Sequence, residues 1–135
     1  MGDRANFGFR AAKGEPVLYL YGHWAGEHML AKLAYALENA LPRIKMGDSA
    51  YSTRIAISYL IGEDWESETG WGLTIDSLCD NEHSIPIVDF ETGTVSLHER
   101  PDWNVVNVKP DTNPVKFTMP IEAFITKFSK TPALR

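Results

Sequence analysis

Cysteine is nearly absent from this chain: Cys79 is the only one in 135 residues. A lone thiol cannot close an internal disulfide, so the fold must hold without one, and a reducing compartment is the natural setting. Long apolar runs are missing too. None reaches the roughly 18 residues that a membrane-spanning helix needs, and the N-terminus lacks the basic-then-apolar layout of a secretory signal. Position 6 is Asn, where a myristoylation signal after Met1-Gly2 would need Ser or Thr. Basic residues are outnumbered, 13 Lys and Arg against 18 Asp and Glu, for a formal charge of −5. That balance argues against long nucleic acid and anionic membranes as partners. No internal repeat and no low-complexity stretch interrupts the chain. These absences together predict a cytoplasmic protein with no membrane partner.

What is present suits one α+β domain over residues 1–135. Hydrophobic residues make up 44% of the chain, enough for one core at this length. Ala5, Phe7 and Phe9 alternate with Arg4, Asn6, Gly8 and Arg10, the period-2 pattern of a half-buried strand. Lys13-Gly14-Glu15-Pro16 reads as a turn into a second strand, Val17 to Tyr21. Gly22 and Gly26 bracket His23-Trp24-Ala25, and Leu30, Leu33, Ala34, Leu37 and Leu41 follow at helical spacing until Pro42 ends the run. A second helix starts at Asp48-Ser49 and ends at Gly62. Its body is apolar nearly all round, which predicts burial on most sides. Strands are expected at Trp71 to Ile75, at Ile85 to Phe90 and Thr94 to His98 about the Glu91-Thr92-Gly93 turn, and at Val115 to Met119. Pro120 suits the first turn of a short helix through Phe128. Residues 101–114 read mainly as loop and 130–135 as a tail. The expected architecture is a mainly antiparallel sheet of five or six strands, with two long helices and a short C-terminal helix covering one face.

Chemistry-bearing residues gather near the start. Arg4 could clamp a phosphate or carboxylate and Asn6 could bond an amide or base edge; the competing reading is an ordinary solvated strand face. Trp24 could stack on a ring, while His23 could donate to phosphate or act as acid or base, helped by free N–H groups near Gly26 and Glu27. Against that stands a core tryptophan and a polar cap. Arg54 is the only charge in its helix, and a buried arginine must be paired. Asp3 is the expected partner, with Tyr51 one turn away; either the pair fixes structure or Arg54 reaches the ligand. A zinc reading of His23, Glu27 and His28 is disfavoured, because five helical positions would turn the histidines about 140° apart unless the helix starts after His23. No cofactor or metal is expected. Glu63 to Glu68 could bind a divalent cation but reads first as a solvated acidic loop; Asp80-Asn81-Glu82-His83 could supply a ligand set but reads first as a polar turn; Cys79 reads as a passive thiol.

Three blocks carry a family resemblance: Met1-Gly2-Asp3-Arg4-Ala5-Asn6, then Tyr19-Leu20-Tyr21-Gly22-His23-Trp24, then Tyr51 with Arg54 and Ile55. With Gly70-Trp71-Gly72-Leu73 and the Asp89 to Leu97 hairpin, the chain resembles a family of small hypothetical proteins of bacteriophages and some bacteria over about its first hundred residues. The resemblance implies a phage or bacterial origin, and host-cell cytoplasm if phage-encoded. It implies no mechanism.

The leading functional expectation is a non-catalytic binding protein for a small anionic, nucleotide-like ligand, with Arg4, Asn6, His23, Trp24, Tyr51 and Arg54 as its site. A phage origin would make it a sequestering agent for a host immune nucleotide signal. The alternative is a small phosphodiesterase or hydrolase using His23 as acid or base, with Asp3 beside it. A third reading is a protein–protein inhibitor of a host factor anchored by Trp65 and Trp103. A homodimer is expected if the polar strand face needs covering.

Overall fold

The structure is a computed structural model that describes residues 2–78, 80–100 and 109–129. Its elements run β1 (Ala5–Arg10), β2 (Leu18–Gly22), α1 (Met29–Lys45), α2 (Ser49–Ile61), β3 (Trp71–Ile75), β4 (Ile85–Asp89), β5 (Thr94–His98), β6 (Val115–Pro120) and α3 (Ile121–Phe128). The class is α+β. One six-stranded sheet has the order β3-β2-β1-β4-β5-β6. Every neighbouring pair is antiparallel except β1 and β4, which run parallel with Gly8 opposite Ile87.

Alternation along β1 sorts the side chains. Ala5, Phe7 and Phe9 join Leu20, Val88 and Val95 in the main core, together with Leu33 and Leu37 of α1, Ala56 and Ile57 of α2 and Phe124 of α3. We call this the inner face. The outer face has a second, smaller core of Val17, Tyr19, Ile85 and Ile87, with Leu78 packed against it. Leu78 belongs to the connection from β3 to β4. Because β2 and β1 lie between those strands in the sheet, the connection must cross both. It crosses the outer face, starting where Asp76 exchanges hydrogen bonds with Val17 and ending where Glu82 N donates to Arg4 O at 2.9 Å. The polar face of β1, expected to be open or to line a cleft, is therefore covered by the chain's own crossover.

Two helix expectations need correction. Pro42 lies inside α1 rather than ending it. Proline's fixed φ suits a helix and forfeits one N–H bond, while Leu41 and Ile44 hold the last turn by packing on the core. Gly47, at φ 74°, then closes the helix. The second correction concerns α2, which buries Ser52, Ala56, Ile57 and Ile61 but leaves Tyr51 and Tyr59 exposed. Its apolar stripe reflects contact with α1 on one side, not burial all round. The ends fall where expected: Asp48 accepts from Tyr51 N at 3.0 Å, and Gly62 at φ 63° stops the helix.

Candidate functional site

At the end of the sheet where β1 begins and β2 ends, backbone bonds draw two remote segments together. Asp3 N donates to His23 O at 2.7 Å, and Gly26 N donates to Asp3 O at 2.9 Å. His23 N donates to Gly70 O at 2.8 Å, tying the same loop to the start of β3. The crossover delivers a third segment. His83 Nε2 lies 2.5 Å from Asp3 Oδ1, while Arg4 Nε is 3.1 Å from Asp80 and its Nη1 3.4 Å from Glu82. Gly26 is needed here for space, because a Cβ at that position would collide with His83 Nε2 and Asp3 Oδ1.

The resulting row of side chains has distinct chemical parts. Tyr21 Oη and His23 Nδ1 share a hydrogen bond of 2.7 Å. The His23 ring meets Trp24 edge to face, with centroids 4.5 Å apart. Trp24 is 63% exposed, so it is no core aromatic. Its ring packs against His23 and passes over Gly70, where a Cβ would stand 3.5 Å from it. Beyond His23 come the half-exposed Asp3–His83 pair and then Arg4 with its two carboxylates. Asn6 completes the underside: it is fully buried and donates Nδ2 to Asp80 O at 2.5 Å and to Asn81 Oδ1 at 3.1 Å.

Arg4, Asn6, His23, Trp24 and Asp3 thus share one end of the sheet. Tyr51 and Arg54 do not join them. Arg54 is exposed on α2 and, among the described residues, reaches Ser58 Oγ at 3.5 Å, and Tyr51 stacks under Arg43 at 5.0 Å. The expected Arg54–Asp3 pair is replaced by Asp3–His83. An exposed arginine needs no buried partner, so the premise behind that pairing falls with the burial of α2. The free N–H expected at Gly26 is also taken, by Asp3 O. Conversely, the Asp80-Asn81-Glu82-His83 turn supplies four members of the cluster. Its density of polar groups was visible in the sequence, but its partners lie about 75 positions away, beyond any local pattern.

Charge at this end is largely paired: Asp80 and Glu82 both lie on the Arg4 guanidinium, and Asp3 pairs with His83. Among the described residues, no three His, Cys, Asp or Glu side chains converge as a metal site would require.

Beneath the crossover, the outer core holds an unusual hydroxyl. Tyr19 is fully buried, and its Oη has no hydrogen-bond partner among the described residues. Burial pushes its ionisation well above the ordinary tyrosine range; Asp111 and Asp76 push the same way and Arg10 opposes them. Asn6 Oδ1, nearby on the same face, is likewise without a partner. The position of Trp103 lies outside the described residues, as do Cys79 and most of the 101–114 segment.

Comparison of the chain with protein-family models, with curated proteins and with solved structures gives no match.

Proposed function

We propose that the chain is a non-catalytic binding protein for a small nucleotide-like molecule, recognised by its ring and polar edge more than by its phosphate. The observation that carries this reading is Trp24: a large aromatic surface, 63% exposed, packed edge to face on His23 beside the polar cluster. Leaving an indole in water forgoes burial worth roughly 2–3 kcal/mol, and an exposed aromatic face is what stacking on a base requires. The Tyr21–His23 and Asp3–His83 pairs then offer donors and acceptors at the ring's edge. Arg4 contributes less than its charge suggests, since Asp80 and Glu82 already neutralise it. Sequestration of a host nucleotide signal is the use that the phage resemblance implies for such a binder.

Calorimetric titration with adenosine, guanosine, their monophosphates, cyclic dinucleotides and ADP-ribose tests the reading. Binding that is lost in Trp24→Ala is the expected result. Silence across the whole panel would sink the proposal.

A second reading has its own observation. The carboxylate of Asp3 orients an imidazole at 2.5 Å, which is the arrangement by which an acid makes histidine a better general base. The histidine is His83, where the sequence suggested His23. A hydrolase would convert the bound nucleotide, and mass spectrometry would find products that disappear in His83→Ala. A ligand recovered intact leaves the binder.

A further inference from the structure

The inner face is incompletely covered at one side. β3 is the edge of the sheet, hydrogen-bonded to β2 alone among the described residues. Leu73 and Ile75 pair with Leu20 and Leu18 across β2 and so point to the inner face, but they remain 54% and 67% exposed. Two hollows flank them. One, of about 440 Å³, lies between the start of α2 and the sheet and is lined by Phe9, Pro16, Leu18, Ala50 and Ile75. The other, of about 210 Å³, lies at the opposite end of β3 and is lined by Leu20, Ile61, Trp65 and Leu73. Trp65 itself is 57% exposed. The edge strand thus runs between two apolar hollows, and no described strand pairs with its outer side.

Charge selects the occupant. Glu63, Asp64, Glu66 and Glu68 are all exposed beside the Trp65 end, and none of them has an ion-pair partner among the described residues. Glu15 lines the hollow at the other end, and Asp76 follows β3 directly. A second copy of this chain fits poorly. Antiparallel pairing of β3 with itself would bring the acidic run of one copy against Glu15 and Asp76 of the other, and like charges across a pairing edge are unfavourable.

We infer that the β3 edge is a docking site for an extended segment of a basic partner protein, which adds a strand to the sheet. Backbone bonds to β3 would supply affinity, and alternate apolar side chains would fill the two hollows beside Leu73 and Ile75. Lysine or arginine flanking the segment would meet the acidic rims. This surface adjoins the Trp24 loop, which Gly70 ties to the start of β3, but neither proposal depends on the other.

The probe is a peptide of about ten residues in which valine alternates with threonine and two lysines flank each end. A counterpart carries glutamates in place of the lysines. In fluorescence anisotropy the lysine peptide should bind the intact chain, more weakly as salt rises, and the glutamate peptide should not. Leu73→Lys with Ile75→Lys should weaken binding by about tenfold or more. Both side chains are exposed, and circular dichroism verifies that the variant keeps its fold. Hydrogen exchange of β3 amides should slow when the peptide is bound. No binding of the lysine peptide, equal binding of both peptides, or an unchanged affinity in the double variant would overturn the inference. So would light scattering that finds a dimer dissolved by Ile75→Lys, because the occupant would then be a second copy.

Discussion

Asn6 and Arg4 lie two residues apart on the same face and make bonds to the same crossover, yet burial gives them different weights. The Arg4 ion pairs are about one-third to one-half exposed, and water screens such pairs to less than about 1 kcal/mol. Asn6 is fully buried, and removing its amide would leave Asn81 Oδ1 and Asp80 O short of a donor. Asn6→Ala should therefore cost about 2–3 kcal/mol, well above Arg4→Ala, as urea unfolding of the two variants would measure. Tyr19 gives a prediction with a pH signature. Its ionisation is raised in the folded state, so the folded protein holds that proton more tightly than the unfolded chain. The contribution is whole below about pH 10, where an unfolded tyrosine ionises, and is lost as pH rises above it, by up to about 1.4 kcal/mol per pH unit. Tyr19→Phe removes this loss and also removes a hydroxyl with no partner. The variant should match or exceed the parent at pH 8 and exceed it increasingly above pH 10. Of the site, Arg4, Asn6, His23 and Trp24 were legible as chemistry. Asp80 to His83 were legible as a polar turn but not as their neighbours, because sequence distance hides what a crossover brings back.

Helix α2 shows how local signals and tertiary context divide the work. Its boundaries were legible because the Asp48 cap and the Gly62 stop are local devices. Its environment was misjudged, because an apolar composition does not say which side meets a neighbour. Two substitutions separate these levels. Asp48→Ala removes the side-chain bond to Tyr51 N and should cost about 1 kcal/mol, or about 4 °C in Tm. Arg54→Ala should change stability by less than about 0.5 kcal/mol, since its bond to Ser58 is long and exposed. A loss of 3 kcal/mol or more, the cost of orphaning a buried partner, would restore the buried-arginine reading. Calorimetric melting of both variants is sufficient. Strand β3 has a similar lesson: its alternation was clear in sequence, but its place at the sheet's edge depends on which strands pair elsewhere.

At the scale of the whole molecule, the α+β class and the run of hairpins were readable from periodicity and turn residues. The parallel β1–β4 pair was not, since no local pattern encodes a partner 79 positions distant, as Gly8 is from Ile87. Among the described residues no helix is long and apolar enough to cross a membrane. The order β3-β2-β1-β4-β5-β6 puts the first strand of the chain in the middle of the sheet, and this has a kinetic consequence. During synthesis β1 can pair early with β2, but its other edge must wait until Ile85–Asp89 has been made. Closing so long a loop is a slow step, and until it happens Phe7 and Phe9 sit beside an open backbone edge. An unfinished chain is therefore expected to expose a half-sheet, and its yield in a cell should depend on how quickly its ninetieth residue follows its tenth.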